Sequence, residues 1–454
     1  MLRTLPPAVV VAGRPVPHAT LADRMAGAHI PGVSIAVVEN GRIAWARGFG
    51  VQEAGGRDAV TAHTLFQAAS ISKVIAATMT LRLVDAQKLD LDADVNRALR
   101  SWQVPENAFT ATQKVTLRRI LSHTAGLTVH GFPGYRPDGA LPSVLDVLDG
   151  RAPATNAPVR VDTVPGSTTR YSGGGIVIEQ LLLTDVTGRA FPQLARELVL
   201  DPLQMRDSTF EQPLPPPLAA RAARGHDEDG GVIPGGWAIG PEMAAGWLWT
   251  TAADLMKWAI AIDASRAGTS GAPLSRGLAS QMLTPQKDVY GLGPVLEGSG
   301  RAFRFSHGGN NPGYTTQFIY FPETHQGAAI LVNRVGADQL IDELTRAIAE
   351  EYDWPALKPL RVTPATLADA AIANLTGAYA LQFPGSDPPS PATIAWKNGR
   401  LALDAPPIIT DDELIPISAT ELVSPAWGYR IRVAGRGFTL TYNGTDMTAT
   451  RVER

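Results

Sequence analysis

A chain of 454 residues predicts two or three domains rather than one. Its 44% hydrophobic and 18% charged residues are those of a packed globular protein, which excludes the disordered and fibrous classes. The formal net charge of −3, with no basic run carrying interleaved aromatics, gives no basis for a nucleic-acid partner; the absence of cysteine excludes a disulfide framework and a thiolate metal site.

No apolar run approaches the roughly 18 residues of a spanning helix, so no membrane-spanning segment is expected. The start carries one short apolar stretch, Ala8 to Ala12, and one early Arg3, which makes a poor signal peptide. The compartment stays open: cytoplasmic as written, periplasmic or secreted if a leader has been removed.

The first element in chain order is a hairpin. Val33–Val38 alternates small and β-branched residues, Asn40-Gly41 suits a turn with positive φ at both central positions, and Arg42–Arg47 returns. From Ser72 to Leu89 the period becomes helical, with Val74, Ala77, Leu81 and Val84 on one face. The long middle, approximately 90–286, reads as helices broken by Pro- and Gly-rich loops. Its helical candidates are Ile176–Thr184, Phe191–Leu200 and Ala252–Ile262. Strand character returns at Ala302–His307, Thr315–Phe321 and Ala328–Asn333, and Gln339–Tyr352 reads as an amphipathic helix.

Sheet elements at both ends of a helical region predict an α/β (α+β) domain over 1–353. It is a mixed antiparallel sheet flanked by helices, with a helical lobe inserted. Pro355, Pro359 and Pro364 mark 354–366 as a linker. Residues 367–454 read as a small C-terminal all-β barrel or sandwich. Its strand candidates are Leu375–Leu381, Thr393–Trp396, Leu401–Leu403, Leu414–Ile417, Tyr429–Val433, Phe438–Tyr442 and Met447–Val452, with Asn398-Gly399 and Asn443-Gly444 as further hairpin turns.

Ser70-Ile71-Ser72-Lys73 is the one Ser-x-x-Lys in the chain. A serine hydroxyl needs activation to act as a nucleophile. If Ser70 opens the helix, Lys73 lies on the same face one turn along. The helix N-terminus favours negative charge developing at Ser70, and the Ser70 N–H can face an oxyanion. The lysine acts as a base when neutral, or lowers a partner's pKa when charged; burial pushes it toward neutral. Tyr171-Ser172-Gly173 follows a Pro165-Gly166 turn and precedes a helix. A tyrosine beside a lysine is expected to have a lowered pKa and to shuttle a proton. His307-Gly308-Gly309 ends a strand candidate. The glycines let a substrate backbone approach, and the histidine offers a donor or a cation to a carboxylate or carbonyl.

These three motifs in this order resemble the β-lactamase and penicillin-binding family, whose signatures are Ser-x-x-Lys, Tyr-x-Asn and Lys-Thr-Gly. His-Gly-Gly in third place is similar to the class C relatives: esterases, D-amino-acid peptidases and amidases, and peptide-cyclising thioesterases. Leu121–Leu127, Pro31–Ala36 and Val199–Leu203 also resemble family text, and the resemblance spans about Leu21 to Tyr352. It implies a β-lactamase/transpeptidase-like fold and a serine hydrolase that forms a Ser70 acyl-enzyme on small ester or amide substrates, D-amino-acid peptides among them. By carry-over, Ser70, Lys73, Tyr171 and His307 are catalytic, and the backbone N–H groups of Ser70 and Asn310 form the oxyanion hole. Gly173, Gly308, Gly309 and Asn311 line the substrate. The partner is a small-molecule or peptide substrate. No cofactor or metal is implied. An acyltransferase, a peptide cyclase or a β-lactamase uses the same site, and a non-catalytic penicillin-binding-like protein uses the same fold.

One departure matters. The family's Tyr-x-Asn is Tyr171-Ser172-Gly173 here, so the amide that contacts the substrate's side-chain amide in β-lactamases is missing. Asn156, Asn310 and Asn311 are candidates to compensate. Outside these motifs, no Gly-x-Ser-x-Gly elbow, zinc spacing or phosphate loop occurs. His123 reads as a brace for its own loop, Trp237, Trp247 and Trp249 as either cleft wall or core, and Glu242 has no evident role.

Overall fold

The computed structural model describes residues 2–16, 19–383, 388–406, 409–442 and 445–452. The chain divides into two compact units, 24–341, and 1–23 together with 342–454. Strand β1 (Val9–Val11) belongs to the second of these.

The first unit begins with the expected hairpin, β2 (Gly32–Glu39) and β3 (Arg42–Gly50). Asn40 (φ 50°) and Gly41 (φ 72°) both take the left-handed conformation this turn requires. The short β4 (Phe66–Gln67) and β5 (Trp249–Thr250) pair with each other. Strands β6 (Val295–Glu297), β7 (Arg304–Asn311), β8 (Tyr314–Phe321) and β9 (Gln326–Val332) complete an antiparallel sheet of order β3-β2-β9-β8-β7-β6. N-terminal β2 thus pairs directly with late β9, Ile35 opposite Ile330, and the helical middle is inserted between them.

Helix Ser72–Asp85 is buried along most of its length and forms the hub of this unit. Helix Gly173–Thr187 packs beside it, and the Thr80 hydroxyl donates to Glu179 at 2.6 Å. Helix Ala252–Ala267 lies within the span expected for the lobe, yet it covers the sheet: Trp258 meets Phe305 and Phe318 edge-on at 6.1 and 5.2 Å. The strand expected at Ala302–His307 runs from Arg304 to Asn311, so both motif glycines lie inside it. Glycine weakens the propensity signal, but the ladder to β8, with Gly308 opposite Gln317 and Gly309 opposite Thr316, carries the strand through them.

In the second unit, the segment read as a linker holds β10 (Leu360–Val362), which pairs in parallel with β1. The chain's first residues therefore group with its last third. Helix Asp369–Leu375 replaces the start of the strand expected from Leu375. Strands β11 (Gly377–Gln382), β12 (Ser390–Lys397), β13 (Arg400–Ala405), β14 (Ile409–Pro416), β15 (Glu421–Val423), β16 (Arg430–Ala434), β17 (Gly437–Tyr442) and β18 (Thr445–Arg451) form a closed antiparallel barrel, β11 pairing with β18. Closure decides barrel over sandwich and leaves no open edge. Asn398 and Gly399 make the expected positive-φ turn; Asn443-Gly444 lies outside the described residues. Among the described residues no helix is long and apolar enough to cross a membrane.

Candidate active site

Ser70 sits in a 3-10 turn, Ala69–Ile71, that leads into helix Ser72–Asp85. Ala69 holds φ 48°, a left-handed conformation that costs a residue with a side chain. The surroundings hold that turn from several directions. The Ser72 hydroxyl donates to the Ala69 carbonyl at 2.6 Å and accepts the Leu248 N–H at 3.0 Å. The Thr316 hydroxyl of β8 donates to the Ala68 carbonyl at 2.9 Å. Glycine is required at 309, because a Cβ there would lie 2.6 Å from the Ala68 carbonyl oxygen and 2.8 Å from the Ser70 nitrogen. Gly308 faces outward, with only the Thr316 carbonyl, at 3.7 Å, near its missing side chain.

Lys73 is 3% exposed. Its amine donates to the Ser70 hydroxyl at 2.9 Å and to the Ala245 carbonyl at 2.5 Å, and lies 4.9 Å from the centre of the Tyr171 ring. Burial lowers its pKa to about 7, against the opposing pull of Glu179. Near neutral pH a substantial fraction is therefore unprotonated and able to accept the Ser70 proton.

Tyr171 shares a hydrogen bond with Ser70. The lowered pKa expected for it is corrected: burial holds its phenol up at about 12, and the bond to Ser70 only partly offsets that. At neutral pH Tyr171 keeps its proton, which suits it to donate rather than to accept.

His123 locks this tyrosine in place. Its carbonyl accepts the Arg170 N–H at 2.8 Å, its Nδ1 accepts the Ser172 N–H at 3.3 Å, and its ring lies 4.3 Å from the Tyr171 ring. Burial, followed by the charge of Lys73, keeps its pKa well below the usual histidine value. The brace expected of His123 thus acts on Tyr171 as well as on its own loop.

His307 is 5% exposed, and its Nδ1–H donates to the Gly308 carbonyl at 2.6 Å. Burial and then the charge of Lys73 push its pKa down to about 4. Of the donor or cation expected here, the cation is absent, because the imidazole is neutral, and the ring N–H is already committed to the Gly308 carbonyl. Its Nε2 has no hydrogen-bond partner among the described residues, which leaves an acceptor lone pair.

The other expected residues divide. Asn310 is exposed on β7 beyond Gly309. Asn311 is buried, and its amide donates to Gln67 and to the Gly246 carbonyl, both at 2.9 Å, so it braces the segment that presents Ala245 rather than facing a substrate. The Asn156 amide is committed to the carbonyls of Val147 and Ala157. At Gly173 a Cβ would meet the His130 carbonyl at 3.0 Å and the Phe132 ring at 3.1 Å. The space an asparagine would need is occupied by the 130–132 loop. Trp247 and Trp249 are fully buried and Trp237 nearly so, which makes all three core. Glu242 is also buried; desolvation raises its pKa to about 7, and it accepts the Trp247 indole N–H at 3.3 Å. Tyr290, 4.9 Å from His123, His130, 4.9 Å from Tyr171, and the Ala245 carbonyl also belong to the site. None carries a motif, and a backbone carbonyl leaves no trace in a sequence.

The beta-lactamase family model matches residues 18–353. The chain belongs to the beta-lactamase family. It is 27% identical over 372 residues to penicillin-binding protein 4 of Amycolatopsis lactamdurans, covering 77% of this chain and 93% of that one. It is 31% identical over 229 residues to the unguisins hydrolase ungD' of Aspergillus campestris, covering 49% of this chain and 37% of that protein. The octameric penicillin-binding protein homologue from Pyrococcus abyssi shares the fold, with a TM-score of 0.62, 19% identity, and coverage of 94% of this chain and 98% of that one. The protein is a serine hydrolase of this family.

Proposed function

We propose that Ser70 is acylated by small ester or amide substrates, D-amino-acid peptides included, and that the acyl group then passes to water. The contact carrying this reading is the 2.9 Å bond from Lys73 to the Ser70 hydroxyl, made by an amine whose pKa burial has brought to about 7. Lys73 takes the hydroxyl proton as Ser70 attacks the carbonyl. The N–H groups of Ser70 and Asn310 receive the oxyanion, which Gly309 leaves unobstructed at Ser70. Tyr171, still protonated, gives its proton to the leaving group and regains one through Lys73. Water then attacks the acyl-enzyme by the reverse proton path.

The neutral state of His307 supports esters and amides over β-lactams. A buried imidazole with a pKa of about 4 supplies no fixed cation for a substrate carboxylate. The missing amide at Gly173 points the same way.

The test is covalent labelling by a fluorophosphonate, read by intact mass, alongside turnover of p-nitrophenyl esters. Ser70→Ala abolishes the adduct and lowers turnover by on the order of 10³-fold or more. Equal labelling of wild type and variant refutes the assignment. Product analysis with and without an added amine separates hydrolysis from acyl transfer.

A further inference from the structure

The loop ahead of Tyr171 is held in a strained shape that the acyl-transfer chemistry does not explain. Val129 adopts φ 63°. A β-branched residue in the left-handed region is a genuine outlier, of the kind that persists where the surroundings over-determine it and that clusters at functional sites. The over-determination here is visible. The first turn of helix Gly173–Thr187 directs its N–H groups into the loop: Gly173 donates to the His130 carbonyl and Gly174 to the Val129 carbonyl, both at 3.0 Å. The Ser172 hydroxyl donates to the Thr128 carbonyl at 2.7 Å. At its far end, the loop is fixed by paired backbone bonds between Tyr135 and Ile239, 2.8 and 2.9 Å. It is also fixed by Gly134, whose missing side chain leaves room for the Trp247 ring at 2.4 Å.

What the loop presents between these anchors is His130. Its ring is exposed, yet lies 4.9 Å from the ring of Tyr171, whose hydroxyl bonds Ser70. The same loop closes over Gly173 and so fills the space beside Tyr171 from which a residue-173 side chain is excluded. A strained turn, a helix N-terminus already used by the loop, and an exposed imidazole against the catalytic phenol converge on one position.

We propose that His130 is a specificity-determining residue: its imidazole donates a hydrogen bond to an acceptor oxygen, an amide carbonyl or a carboxylate, on the acyl part of the substrate adjoining the scissile carbonyl. This rests on the Ser70 acyl-enzyme reading. It deepens that reading by naming the substrate class as acyl groups that carry such an oxygen, N-acylated amino-acid esters and peptides among them, over plain fatty-acyl esters.

The experiment compares kcat/KM for an N-acetyl-amino-acid p-nitrophenyl ester and for p-nitrophenyl butyrate in wild type, H130A and H130Q, with fluorophosphonate labelling of each. One lost hydrogen bond predicts that the preference for the N-acetylated ester falls about tenfold in H130A. H130Q, which keeps a donor, recovers most of it. An N-acetylated succinate-type ester, which adds a carboxylate, distinguishes the two acceptor oxygens. An unchanged ratio in a labelled, active H130A overturns the proposal, as does loss of both activities in equal proportion, which marks a merely structural loop. A wild type that takes no label and turns over neither ester overturns the acyl-enzyme reading itself, and this inference with it.

Discussion

Lys73 and Glu179 are buried on neighbouring helices, and each opposes the shift that burial imposes on the other. Desolvation lowers the lysine to about 7 and raises the glutamate to about 8. The two therefore titrate as a coupled pair within the working pH range. With Lys73 in the proposed role of base, only its neutral form is active, so kcat/KM for an ester should rise with pH through about 7 and then level off. Glu179→Gln removes the ionised fraction of the carboxyl, whose charge helps hold the lysine proton, while an amide oxygen can still accept from Thr80. The rise then moves to lower pH by only a fraction of a unit, because a carboxyl raised to about 8 is mostly protonated where the lysine titrates. A profile that does not move under this substitution disconnects Glu179 from the base.

The same lysine predicts a stability effect of definite sign. Its pKa is about 7 in the folded protein against an ordinary 10.5, so between those values the unfolded chain binds more protons. Stability from this group therefore increases as pH rises through that window, and the full penalty is present below it. Lys73→Met removes the penalty along with activity. The variant should be more resistant to urea than wild type at about pH 6, with the advantage shrinking toward about pH 10. A variant less stable than wild type at the lower pH contradicts the depressed pKa.

Gly308 and Gly309 are adjacent and chemically identical, yet they predict different outcomes. A methyl at 309 collides with backbone and reaches 2.8 Å from the Ser70 nitrogen, whereas a methyl at 308 meets only the Thr316 carbonyl oxygen, at an ordinary contact distance of 3.7 Å. Gly309→Ala should cost about 1–3 kcal/mol of stability through overpacking. It should also lower kcat by on the order of 10²-fold or more by displacing an oxyanion donor. Gly308→Ala should leave the thermal midpoint within about a degree or two of wild type. Equal midpoints for the two variants defeat the argument.

Patterns that follow from local chemistry were legible in the sequence. Asn40-Gly41 and Asn398-Gly399 marked hairpins because few other residues tolerate their φ angles. Ser70 and Lys73 were legible because a helix brings residues three apart together. The charge states were not. Tyr171 was expected to be lowered by the neighbouring lysine and His307 to offer a donor or a cation, but burial raises the phenol and lowers the imidazole, and burial is a property of the assembled fold. The pairing of β1 with β10 was hidden for a related reason: three-residue strands separated by about 350 positions leave no periodic trace.

His123 contacts Tyr171 and the residues on either side of it, so its expected effect on the proposed reaction runs through Tyr171. Its Nδ1 accepts the Ser172 N–H at 3.3 Å and its ring packs 4.3 Å from the phenol. His123→Phe keeps a ring but removes the acceptor, so Tyr171 loses its orientation rather than its chemistry. The expected signature is a drop in kcat of about 10- to 100-fold with KM little changed. His123→Asn, which can still accept a hydrogen bond, should recover part of that loss. An equal loss in both variants assigns His123 to packing alone.

Restoring the family's asparagine is not a simple reversion. At position 173 a Cβ would lie 3.0 Å from the His130 carbonyl and 3.1 Å from Phe132, tighter than an ordinary contact. The Gly173 N–H already bonds that carbonyl. Gly173→Asn should therefore push the 130–132 loop outward, lower stability by about 1–3 kcal/mol and reduce ester turnover. It should confer no nitrocefin hydrolysis, because His307 still supplies no cation for a carboxylate. Nitrocefin turnover gained by this single change, with the thermal midpoint preserved, shows that the loop yields freely and that the missing amide alone kept β-lactams out.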